Sequence, residues 1–261
     1  MSTIPGDNAA CCTIPPVQCS YKPKGAFETI NGIPTYVVGD MTCKHAIVVV
    51  MDIFGMVPLT QQGCDVLSNQ GFYVLMPDYL GDQALQEGDI PFDTPEKIEK
   101  RNKLFSGVGN PQARAADLIK LGEKLQSDGF TVGSLGFCWG SKVVILAGAS
   151  SSIAAVAAVH PAILAPKDAE ICKAALGFYP TRDEDPAEVR RHLSFISHQV
   201  PNSNLTAVIP DGTICQDRKG LQVIFRCSSR ATPILRQTGI QIVHKLLVSS
   251  RTGPERVRNG F

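Results

Sequence analysis

The pentapeptide Gly136-Phe137-Cys138-Trp139-Gly140 constrains this chain more than any other stretch. Ahead of it, Thr131-Val132-Gly133-Ser134-Leu135 has the length and apolar character of a short buried strand, and from Ser141 to Gly148 the residues begin a helix. A chain that passes from strand to helix in so few residues forces the residue at the turn into a strained backbone conformation. Small residues two places to either side are then a steric demand, because a Cβ there collides with the neighbouring strand or helix. Strand, turn and helix together form a nucleophile elbow, and the nucleophile is a thiol. The alternative is a glycine-flanked core cysteine, buried and inert. The flanking strand and helix favour the elbow.

The rest of the chain supplies a sheet for that turn. Residues 1–25 are rich in Pro, Cys and Gly and read as a loop-like arm lying on the domain. Between Glu28 and Val38, Asn31-Gly32 separates two β-prone runs and predicts a hairpin. Ala46 to Met51 is continuously apolar and mostly β-branched, which suits a strand covered on both faces. A helix follows from Leu59 to Asn69, then a second buried strand from Phe72 to Asp78 and an acidic loop from Asp82 to Asp93. Thr94-Pro95 starts a helix running to Phe105. Asn110-Pro111 starts another, with Ala115, Leu118, Ile119, Leu121 and Leu125 on one face and an end at Asp128-Gly129. Past the elbow, Ala154 to His160 and Ala174 to Tyr179 read as further strands. This alternation predicts an α/β protein with a mostly parallel, doubly wound sheet and helices on both faces. Reactive groups in such sheets gather at the carboxyl ends of strands, so Asp52, Cys138 and Asp183, each following a strand, point to one cleft.

The chain's 261 residues suffice for one large domain, and the composition, 44% hydrophobic and 19% charged, is that of an ordinary globular protein. The net charge of +1 hides an asymmetry. Residues 218–261 hold nine Lys or Arg and one acid, Glu255, while the rest of the chain is acidic. From about Ser203 onward no periodicity is legible, and the segment does not resemble the strand and closing helix that the sheet still needs. The predicted organisation is therefore a domain over residues 1–202 and an atypical basic, disordered segment over residues 203–261, with the C-terminal part of the fold incomplete or irregular. Residues 1–25 show no basic start followed by an apolar run, so a reducing cytoplasmic setting is expected despite nine cysteines. The adjacent Cys11 and Cys12 lack C-x-x-C spacing and a nearby histidine, so no metal is expected. No apolar run approaches the roughly 20 residues of a membrane span.

Four ordered stretches, Asp52-Ile53-Phe54-Gly55, Pro77-Asp78, the elbow, and Tyr179-Pro180-Thr181-Arg182-Asp183-Glu184, together with the Cys11 to Pro16 arm, resemble the eukaryotic branch of the dienelactone hydrolase family. The resemblance covers about residues 9–200. It implies an α/β-hydrolase fold and a Cys-Asp-His triad that cleaves lactones or small esters, in the manner of a carboxymethylenebutenolidase. Cys138 matches the nucleophile and Asp183 the acid that orients the histidine, with Asp185 as its near competitor. Asp52 falls where the family usually has a glutamate contacting the thiol; its other reading is an aspartate capping the next loop. The backbone N–H groups of Ile53 and Trp139 form the expected oxyanion hole. Ser141 stands where the family often has a glycine.

The histidine is missing from its motif. Pro210-Asp211 resembles the lead-in, but Gly212-Thr213-Ile214-Cys215 follows. His192 and His198 lie too close after Asp183, His244 lies in the basic segment, His160 reads as structural and His45 precedes the first buried strand, so the catalytic histidine is unknown. A basic tail that binds nucleic acid is one account of residues 218–261. A changed reading frame or splice boundary near residue 200 explains both the charge shift and the lost motif, and it is the account favoured here. The expected partner is thus a small lactone or ester, with no nucleic acid, membrane or cofactor, and Arg101 and Arg114 would suit a substrate bearing a carboxylate. The alternative is a non-catalytic protein of the same fold that has lost its base.

Overall fold

In the computed structural model, residues 20–179 and 206–207 are described. The hairpin forms as Asn31-Gly32 predicts: β1 (Ala26–Ile30) pairs antiparallel with β2 (Ile33–Val38), and the turn residues take φ of 52° and 79°. Both values lie in the left-handed region that Asn and Gly tolerate best.

The apolar runs become the central strands, β3 (His45–Val50), β4 (Tyr73–Pro77), β5 (Thr131–Phe137), β6 (Ala155–Val159) and β7 (Ala175–Tyr179). Every residue of β4 and β6 is buried, as expected for strands covered on both faces. The eight strands are ordered β1-β2-β4-β3-β5-β6-β7-β8, where β8 is the two-residue strand Thr206–Ala207. From β4 to β8 neighbours are parallel, whereas β2 joins β4 antiparallel. Here the structure goes beyond the sequence reading, since β8 continues the sheet inside the segment assigned to the irregular tail. Two backbone pairings suffice for it, and a run that short leaves no periodic signal.

Helices connect the strands: α1 (Pro58–Ser68), α2 (Pro95–Ser106), α3 (Pro111–Ser127), α4 (Trp139–Ala147) and the six-residue α5 (Pro166–Ile171). Thr94 and Asn110 cap α2 and α3 by accepting the N–H groups of Lys97 (3.4 Å) and Ala113 (3.0 Å). The chain moves from β3 to β4 in one lateral direction and from β4 back past β3 to β5 in the other. Right-handed crossovers in opposite directions place α1 on one face and α3 and α4 on the other. The reversal makes the β3/β5 boundary the switch point at which a parallel sheet opens a crevice beyond its carboxyl ends. The apolar stripe of α3 is buried at Ala115, Leu118, Leu121 and Leu125, with Ile119 at its margin. Residues 166–171 form a helix that no spacing in the sequence suggested.

One carboxylate ties the arm to this framework. Asp65 of α1 is 1% exposed and accepts hydrogen bonds from the Tyr36 hydroxyl (2.5 Å), the Tyr21 hydroxyl (2.6 Å) and the Lys24 N–H (2.9 Å). Asp65→Ala would leave these donors without an acceptor, Tyr36 being fully buried. The expected cost is about 3 kcal/mol, measured by urea unfolding, and Asp65→Asn should recover part of it. The same bonds keep the phenols protonated. The Tyr21 hydroxyl is pushed up to about 12 by its hydrogen bond to Asp65, and burial pushes Tyr36 higher still. Tyrosines of the unfolded chain ionise near 10, so this stabilisation is complete below that pH and is lost as pH rises through 12.

Candidate active site

The elbow begins where β5 ends. Cys138 has φ 52° and ψ −116° and sits at the N-cap of α4. For a residue with a Cβ this is a strained conformation, and its neighbours over-determine it. The Cys138 N–H donates to the Val159 carbonyl (3.0 Å), and the Cys138 carbonyl accepts from the N–H groups of Ser141 (3.0 Å) and Ala162 (3.2 Å). A Cβ on Gly136 would come within 3.0 Å of the Gly140 carbonyl and the Ser141 nitrogen. A Cβ on Gly140 would sit 2.5 Å from the carbonyl oxygens of both Val50 and Met51. Gly136 therefore makes room for the first turn of α4, and Gly140 lets that turn lie on β3.

Ser141 takes the family's third glycine position at no steric cost. It is fully buried, and its hydroxyl lies 2.9 Å from the Gly136 carbonyl and 3.1 Å from that of Val159, joining the ends of β5 and β6. Trp139 turns its indole N–H to the Gly109 carbonyl (2.8 Å), which fixes the start of α3 beside the elbow.

Register brings the oxyanion candidates together. Val50 pairs with Gly136, so Ile53 and Trp139, each three residues further along adjacent parallel strands, emerge at the same edge. Among the described residues no acceptor engages the Ile53 N–H or the Trp139 N–H. The Ile53 carbonyl accepts from Leu85 N–H (2.9 Å), so the acidic loop after β4 holds this segment in place. Asp52 shows its capping role: Oδ1 accepts the Phe54 N–H (2.9 Å), closing a turn after β3.

The histidines divide by position. His45 opens β3 opposite Thr131, at the far end of the sheet from Cys138, about 20 Å away at the rise of an extended strand. His160 lies at the near edge. Its φ is 38°, its N–H donates to the Tyr179 carbonyl (2.9 Å), and its ring stands 6.4 Å from that of Phe137. Asp183, Asp185, His192, His198, His244 and the Cys11 to Pro16 arm lie outside the described residues. Tyr179, four residues before Asp183 in the sequence, ends β7 at this same edge.

Arg101 and Arg114, the arginines expected to suit a carboxylate-bearing substrate, both lie against aromatic rings. Arg101 is 3% exposed, with its guanidinium 5.0 Å from the Phe92 ring centre. Arg114 lies 5.6 Å from the Tyr79 ring centre and pairs with Asp117 (3.0 Å). Among the described residues no group of three or more His, Cys, Asp or Glu could hold a metal ion, and no helix is long and apolar enough to cross a membrane.

The thiols differ. Cys43, Cys64 and Cys172 are free, whereas Cys138 is in a disulfide, so chemistry at Cys138 requires its reduction. Burial pushes the Cys172 thiol up to about 11 and that of Cys64 higher. At pH 8 only about one Cys172 in a thousand is then thiolate, and peptide-resolved alkylation of the native protein should barely label it. Labelling should rise about tenfold per pH unit towards 11; a rate at pH 8 equal to that of a free cysteine would contradict this.

A mostly parallel sheet of this order, with a strained strand-turn-helix elbow after its fifth strand, is the α/β-hydrolase fold. The sequence matches the dienelactone hydrolase family over residues 33–195, and the chain belongs to that family. An AIM2 family protein of Schizosaccharomyces pombe is 33% identical over 170 residues, which span 64% of this chain and 68% of that protein. A Zea mays protein named as an endo-1,3;1,4-beta-D-glucanase is 30% identical over 177 residues, 66% of this chain and 55% of that protein. The solved structure of a dienelactone hydrolase from Anabaena variabilis has the same fold, with a TM-score of 0.55 at 13% identity over 87% of this chain and 97% of that one.

Proposed function

We propose that this chain is a hydrolase of a small lactone or ester, with reduced Cys138 as its nucleophile. The observation that carries the reading is the strained N-cap position of Cys138 beside two N–H groups that no described acceptor engages. The thiolate attacks the carbonyl carbon of the substrate. Its negative charge passes to the carbonyl oxygen, which the Ile53 and Trp139 N–H groups receive; such donors are worth about 10²–10³ in rate each. The tetrahedral adduct then expels an alkoxide, which takes a proton as it leaves, and a thioester remains on Cys138. Water hydrolyses the thioester, releasing the acid and restoring the thiol. The positive end of α4 favours the thiolate at the start of this cycle. Asp183 is the proposed orienting acid, and a carboxylate contact from Asp52 to the thiol is compatible with its Oδ1 serving the loop.

Both halves of the cycle need a general base. The absence of histidine from residues 212–215 supports a second reading, a protein of this fold that binds but does not turn over. Intact-mass analysis of the reduced protein mixed with an activated ester separates the two. A Cys138-linked acyl adduct that forms and clears means an enzyme with a base; one that forms and persists means a working nucleophile without one. No adduct and no Cys138-dependent turnover on reduced, folded protein would refute the nucleophile assignment.

A further inference from the structure

Helix α4 carries a single charged side chain among mostly apolar residues. Val143, Val144 and Ile145 are buried, and Lys142 among them is buried too, its ammonium paired with the carboxylate of Asp168 on α5. Their side chains are 9% and 4% exposed. Removing two charges from water is expensive, and apolar residues of the same volume would hold α4 to α5 at least as well. Cohesion alone therefore does not account for the charges.

What they add is direction. Asp168 also accepts the Ala165 N–H (2.6 Å), so one carboxylate joins the ammonium to the entrance of α5, a helix too short to be stable alone. The preceding loop is strained: His160 and Ile163 have φ of 38° and 53°, and the second is β-branched. That loop sends the Ala162 N–H to the carbonyl of Cys138. A continuous path thus runs from Lys142 through Asp168, Ala165 and Ala162 back to the residue four places before Lys142.

We propose that Lys142 and Asp168 form a buried latch that holds residues 160–165 against the elbow, making Lys142 a positioning residue for Cys138. The proposal rests on Cys138 being the nucleophile, but its test reads the thiol and not turnover, so the two can fail separately. Alkylation of Cys138 by iodoacetamide is followed across a pH series on fully reduced protein, with peptide-resolved mass spectrometry. In Lys142→Met the loosened elbow no longer aligns the thiolate with the α4 N-terminus. The midpoint is expected to rise by about one pH unit, and alkylation at pH 7 to slow about tenfold. Lys142→Arg keeps the charge and is expected to keep the wild-type midpoint. The double variant Lys142→Met/Asp168→Leu removes both charges. It should recover thermal stability while its midpoint stays displaced, because the Ala165 N–H has lost its acceptor. A wild-type midpoint in the double variant overturns the proposal, whether or not Lys142→Met is displaced, since displacement in the single variant alone reports an unpaired carboxylate. Should Lys142→Met fail to fold, the double variant decides by itself.

Discussion

Replacing Cys138 with alanine is expected to reduce ester hydrolysis by the reduced protein to the uncatalysed background, a loss on the order of 10⁴ or more if the wild type turns over. The substitution removes the proposed nucleophile and keeps the backbone bonds of the turn, in which the residue 138 N–H donates to Val159 and its carbonyl accepts from Ser141 and Ala162. With the disulfide already reduced, thermal stability should therefore change little. Cys138→Ser tests the chemistry more narrowly. A hydroxyl at the same place has no thiolate character near neutral pH, so without a strong base it should be nearly as inactive as alanine. Serine activity close to that of cysteine would reveal an efficient base. Wild-type rates in Cys138→Ala would show that hydrolysis occurs elsewhere and would remove Cys138 from the site. Omitting reductant should abolish activity in the wild type, since the disulfide occupies the same sulfur.

The second large effect is structural. Gly140→Ala is expected to destabilise the protein by about 3 kcal/mol or more, or to prevent folding altogether. Its Cβ would meet two carbonyl oxygens of the β3 end at 2.5 Å, and β3 cannot yield because β4 and β5 flank it on both sides. At this chain length the expected fall in Tm is about 6–12 °C. Gly63→Ala in α1 is the control. Nothing lies within 4 Å of its would-be Cβ, so helix propensity alone predicts no loss and a gain of up to about 1 kcal/mol. Equal effects at the two positions would mean that close packing of α4 on β3 is not what position 140 requires.

Much of this was legible in the sequence because the relevant signals are local. Asn31-Gly32, Thr94-Pro95 and Asn110-Pro111 each marked a boundary through backbone chemistry confined to a few residues, and the apolar runs marked strands covered on both sides. The steric roles of Gly136 and Gly140 followed from the strand-to-helix turn alone. The order of strands did not follow, since pairing β2 with β4, and placing β3 between β4 and β5, depend on contacts distant in the chain. The Lys142–Asp168 pair escaped for the same reason, although a lone lysine amid Val143, Val144 and Ile145 was a visible clue. Asp168 sits in a helix too short to show a period. The carboxylate and histidine assignments beyond Tyr179 fall outside the described residues, as do the predicted basic segment apart from β8 and most of the N-terminal arm.

The bonds and close contacts described around Cys138 come from residues 50, 51, 136, 140, 141, 159 and 162, all upstream of the stretch that would carry the acid and the base. Among the described residues, the backbone of the elbow is thus held by segments that precede the stretch proposed to carry the acid and the base. Changes after β7 would alter what the thiol can accomplish while leaving these backbone bonds in place. A cysteine presented in this way also remains a candidate for covalent capture by an electrophilic acyl donor, whatever follows it in the sequence.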